Sequence, residues 1–187
     1  SSMQLILHAL FAAAPTPNIG AAPSLNVWPQ PASFTGGTSA TGLTPSNTFF
    51  RLQNGATPPA ILAQAFKRYS LICFPHTPDS TGVSSLGAIT GLTLAVDNLD
   101  ETYPQLSVDE SYRLDINTDP VATASAKTVY GALRALESFS QLVAFDFDRQ
   151  VYMVTVANIV DAPRFPWRGL MVRSLAPAGC CPACSAV

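Results

Sequence analysis

The chain has 187 residues, 48% of them hydrophobic, with 16 Pro, 11 Gly and 4 Cys. That length supports one hydrophobic core with tails and leaves no room for a second full domain. Ten basic against twelve acidic residues give a formal charge of -2, and no run of Lys or Arg exists to displace counterions from a phosphate backbone, which excludes nucleic acid as a partner.

The longest apolar stretch, LILHALFAAA at 5–14, is interrupted by His8 and falls short of the roughly 18 residues needed to span a bilayer. Small residues and prolines follow it, so 1–26 reads as a secretory leader or an unstructured N-terminus. From Ala12 to Pro45 the composition is Pro, Ala, Ser, Thr and Gly with almost no charge, which predicts extended peptide running over a surface. VWPQP at 27–31 is its one sharp feature.

NTFFRL at 47–52 predicts a short strand. In PPAILAQAFKRYSLICF at 58–74, Thr57 is placed to cap a helix and the prolines suit its first turn. Ile61, Leu62, Ala65, Phe66 and Tyr69 share one helical face, and the run Leu71 to Phe74 predicts a strand. LTLAVD at 92–97 and SYRLDIN at 111–117 alternate as half-buried strands, with Tyr112, Leu114 and Ile116 inward and Arg113, Asp115 and Asn117 outward. VATAS at 121–125 adds a strand. Ser125 is placed to cap a long amphipathic helix that turns Val129, Ala132, Leu133, Leu136, Phe139 and Val143 inward. FDFDRQVYMVTV at 145–156 predicts two antiparallel strands joined near Asp148 and Arg149. Together these elements predict an α+β fold: a mostly antiparallel sheet of five to seven strands with two helices on one face.

Chemistry is sparse. His8 and His76 lie in no HExxH pair and near no nucleophile, which removes metalloprotease and triad chemistry. GVSSLG at 82–87 lacks the spacing of a nucleophile elbow and reads as a loop. Cys73 sits in an apolar run, whereas Cys180, Cys181 and Cys184 crowd the tail among Pro177, Gly179 and Pro182, a setting that fits neither a zinc site nor a redox helix. Asp100-Glu101 and Asp109-Glu110 are the only carboxylate pairs to consider for sugar hydrolysis. Both bound the stretch between two predicted strands, where adjacent carboxylates are usually solvated. No residue is assigned to catalysis, substrate, cofactor or metal.

GALRALESFSQLV at 131–143 and DAPRFPWRGLMV at 161–172, in order after VWPQP at 27–31, KRY at 67–69 and DESYRLDI at 109–116, resemble the β-N-acetylhexosaminidases of glycoside hydrolase family 20. Ala135 and Tyr130 are small departures from the family's usual Gly and Trp. The resemblance covers about 27–172. It implies a hexosaminidase-like N-terminal α/β domain over 27–163 that is non-catalytic, with Arg164, Phe165, Trp167 and Arg168 as structural residues of a junction (164–172) into a catalytic (β/α)8 barrel, the expected partner of this domain. From 173 to 187 the sequence departs from the family. Ala176 stands where the family's sugar-binding Arg is expected, and nothing later supplies the Asp-Glu pair that assists and protonates in substrate-assisted retaining hydrolysis of terminal N-acetylhexosamine. The expectation is therefore a truncated, inactive fragment of a lysosomal or secreted enzyme, self-associating through its exposed junction. An interaction module derived from the same domain is the alternative.

Overall fold

The structure is a computed structural model and describes residues 25–78 and 88–169. Its elements, in order, are β1 (Ser33–Leu43), β2 (Phe50–Leu52), a 3-10 turn (Gln53–Gly55), α1 (Ala60–Cys73), β3 (Ala88–Ile89), β4 (Gly91–Asn98), β5 (Tyr112–Ile116), β6 (Val121–Thr128), α2 (Val129–Leu142), β7 (Val143–Asp146) and β8 (Val151–Asp161). Seven strands lie on one path in the order β2-β4-β6-β5-β8-β1-β3, and β7 also pairs with β8. The contacts of β8 with β1, β5 and β7, and that of β5 with β6, are antiparallel. Those of β1 with β3, β2 with β4 and β4 with β6 are parallel. The α+β expectation therefore holds, and no (β/α)8 barrel occurs among the described residues.

Alternation sets the two faces. Leu92 and Leu94 of β4, Ala122, Ala124 and Ala126 of β6, and Tyr112, Leu114 and Ile116 of β5 are buried beneath the helices. Their neighbours on the other face carry exposed pairs, Arg113 with Asp115 at 2.7 Å and Lys127 with Asp97 at 2.8 Å, which contribute little to stability in water. α2 lays Val129, Ala132, Ala135, Leu136, Phe139 and Leu142 on this sheet, and α1 adds Leu62, Ala65, Tyr69 and Cys73. The alanine row of β6 and Gly131 let α2 approach closely: a Cβ at Gly131 would lie 2.5 Å from the Ser111 carbonyl oxygen. Phe139 meets Phe49 and Phe50 at ring-centroid distances of 5.8 and 5.9 Å, closing the core between the helices and β2.

Four local expectations need correction. The stretch read as surface peptide contains β1, an eleven-residue strand hydrogen-bonded along β8. Its small side chains hid the alternation, and Gly36 at φ +94 permits the register shift between Gly36 and Ala40. α1 continues through Leu71 and Ile72 to Cys73 instead of yielding to a strand, because those residues stay exposed on the helix surface. Thr57 caps nothing: Pro59 holds the N-cap position of α1 without a side-chain bond, while the Glu101 carboxylate accepts from Ile61 N. Ser125 lies within β6. The cap of α2 is Thr128, whose Oγ1 accepts from Gly131 N at 3.3 Å.

Candidate functional site

A cleft of about 480 Å³ lies between α2, the C-terminal end of β8, the 28–29 segment and residues 163–168. It is assembled by side chains that bridge distant segments. Gln141, in the last turn of α2, accepts from Trp28 N at 2.7 Å and donates to Trp28 O at 3.0 Å, strapping VWPQP to the helix. Asp161 accepts from Ala32 N at 3.0 Å and from the Tyr112 hydroxyl at 3.2 Å, joining the start of β1 to the end of β8. Tyr112 also shares a 2.6 Å hydrogen bond with Ser138 Oγ, and burial pushes its phenol up to about 12. Tyr69 donates to Glu137 Oε2 at 2.6 Å. Burial first, then the carboxylate, raises it to about 12 as well. Neither phenol is equipped to act as a base near neutrality.

Both carboxylate pairs are engaged structurally. Asp100 accepts from Thr102 N and Oγ1, and Glu101 caps α1. Asp109 accepts from Ser111 N at 2.8 Å. Glu110 is held by two guanidiniums: Arg134 Nε lies 2.7 Å from Oε2, and Arg168 Nη2 lies 2.7 Å from both oxygens. Burial works to raise the Glu110 pKa, but hydrogen bonds from Arg168 and Arg134 outweigh it and hold the carboxyl below its ordinary range. A glycosidic acid must carry a proton near neutrality, and Glu110 is tuned the opposite way.

Three of the four residues expected at a junction, Arg164, Phe165 and Arg168, line the cleft. Arg168 reaches Glu110 and donates to the Phe165 carbonyl, Arg164 and Phe165 line the cleft, and Trp167 is 79% exposed. His76 stands apart, its ring 4.8 Å from that of Phe145 and 5.2 Å from that of Phe147, with its backbone bonded both ways to the Tyr152 hydroxyl. Cys73 is buried, and that burial pushes its thiol up to about 12. No group of three His, Cys, Asp or Glu that could hold a metal occurs among the described residues. GVSSLG, His8, Ala176 and the three tail cysteines lie outside the described residues.

Residues 27–142 match the family described as beta-acetyl hexosaminidase like. The chain belongs to that family. It is 38% identical over 165 residues to Beta-hexosaminidase 1 of Arabidopsis thaliana, covering 78% of this chain and 30% of the relative. Subunit B2 of Dictyostelium discoideum beta-hexosaminidase is 33% identical over 152 residues, covering 79% of this chain and 26% of that protein. Among solved structures, Flavobacterium johnsoniae chitobiase superposes with a TM-score of 0.57 at 25% identity, over 79% of this chain and 22% of its own. Streptomyces plicatus N-acetyl-beta-hexosaminidase, with a TM-score of 0.52 at 22% identity over 79% of this chain and 28% of its own, shares the fold. The chain thus spans less than a third of the curated relatives it matches, and the region matched is the hexosaminidase N-terminal domain.

Within this hexosaminidase domain, the PRFPWRG motif stands out in the sequence, whereas Glu110 as the receptor of Arg168 does not. The sequence presents Glu110 as half of an acidic pair, and it attaches no expectation to Arg134. The available signal was helical phase. Arg134 lies one turn before Ser138 and two before Gln141 on α2, so all three face the same side.

Proposed function

We propose that residues 25–169 form a non-catalytic docking domain of a β-N-acetylhexosaminidase, seating a catalytic domain against the cleft side. Hydrolysis of terminal N-acetylhexosamine would rest entirely on that second domain. The engagement of Glu110 by Arg134 and Arg168 carries this reading. It uses the Glu110 carboxylate to hold the 163–168 segment against α2, as an anion and not as an acid that could protonate a leaving group.

Trp28, 84% exposed, and Phe165, 64% exposed, line the cleft, and Trp167, two residues beyond Phe165 in sequence, is 79% exposed. Aromatic side chains in such number suit a buried interface better than open water. With no partner seated there, the same rings favour self-association, the one observation that supports an interaction module. A lysosomal or secreted location accords with the family. No described helix is long and apolar enough to cross a membrane.

A graft tests the docking role. Residues 27–169 replacing the matching region of Beta-hexosaminidase 1 should leave an active enzyme, and Trp28→Ala, Phe165→Ala and Trp167→Ala together should lower its melting temperature with little change in kcat. A graft in which Glu110→Gln abolishes kcat while the fold persists would contradict the proposal.

A further inference from the structure

Asn54 and Gly55 make the only Asn-Gly step in the chain; every other asparagine is followed by Ile, Val, Thr or Leu. The step lies in the 3-10 turn between β2 and α1, and both residues are exposed. Asn54 adopts φ 60 and ψ 19, and Gly55 adopts φ 67, left-handed conformations that Asn and Gly tolerate best. A Cβ on Gly55 would meet nothing within 4 Å. The turn is closed by a long bond from Ala56 N to Gln53 O at 3.3 Å, and the Asn54 carboxamide has no hydrogen-bond partner among the described residues. Two other asparagines are tied down, Asn98 and Asn117 accepting from Asp100 N and Asp119 N at 2.9 and 3.0 Å, and Asn158 lies in the regular backbone of β8.

We propose that Asn54 is a spontaneous modification site, at which cyclisation onto Gly55 turns the carboxamide into a mixture of aspartate and isoaspartate. The Gly55 amide nitrogen gives its proton to solvent base and attacks Asn54 Cγ. A C–N bond forms, and the carboxamide nitrogen leaves as ammonia after taking a proton from water. Water then opens the succinimide at either carbonyl, with no oxidation or reduction. Attack requires Asn54 ψ to rotate away from its resting value, and a glycine with open space around it offers little steric resistance. The product adds one negative charge to the turn. In its isoaspartate form it also adds a methylene to the backbone leading into α1.

The test is incubation of the folded chain at mildly alkaline pH, followed by peptide mapping and isoaspartate labelling. A one-dalton gain should appear first at Asn54, as both linkages, with a parallel acidic shift on ion exchange. Asn54→Gln, which keeps a carboxamide but disfavours the five-membered ring, should abolish the early shift. Gly55→Ala should slow it severalfold. Earlier conversion at another asparagine, or conversion of Asn54 only after unfolding in urea, would overturn the proposal.

Discussion

Arg168 and Glu110, 58 positions apart, meet with one guanidinium nitrogen 2.7 Å from both carboxylate oxygens, and Arg134 completes the clamp from α2. Glu110→Gln should therefore free the 163–168 segment, seen as faster tryptic cleavage after Arg164 and Arg168. The partners are part-exposed, with side-chain exposures of 48% for Arg134 and 37% for Arg168, so the stability loss should be only about 1 kcal/mol in denaturant melts.

The same clamp has a pH signature. The folded-state pKa of Glu110 is depressed, so its contribution is present above the unfolded carboxylate range and disappears as pH falls through the folded value. Relative to Glu110→Gln, the parent should lose its stability advantage only on the acidic side of that range. An advantage that grows on acidification would show that the clamp does not hold in solution.

Phe139→Ala should cost ~3–5 kcal/mol, because Phe139 is fully buried and packed on Phe49 and Phe50. Leu133→Ala should cost less, since Leu133 is only partly buried. Urea unfolding of the two variants checks the order.

Capping gives a paired test by thermal melting. Thr128→Ala and Glu101→Ala should each cost about 1 kcal/mol, whereas Thr57→Ala and Ser125→Ala should be near neutral, because neither hydroxyl caps a helix.

How much of this was legible depended on whether side chains carried the signal. The alternation of Tyr112, Leu114 and Ile116, and the helical phase of Ala132, Leu136 and Phe139, report burial directly and gave β5 and α2. β1 was invisible because SFTGGTSATGL has few large apolar residues to alternate; its place comes from backbone pairing with β8. The caps were assigned to the wrong hydroxyls for a related reason. Glu101 reaches α1 across 40 positions, a relation no local window contains. At the site, PRFPWRG was conspicuous, yet its anchor, Glu110, became apparent only once folding had brought α2 beside both.

The most direct check of the central claim is to assay the purified 187-residue chain on an aryl N-acetylglucosaminide. No turnover above a buffer blank is expected, because Glu110 is clamped as an anion and the other carboxylate pair serves turns and a helix cap. Turnover that is present in the parent and lost in Glu110→Gln would contradict it.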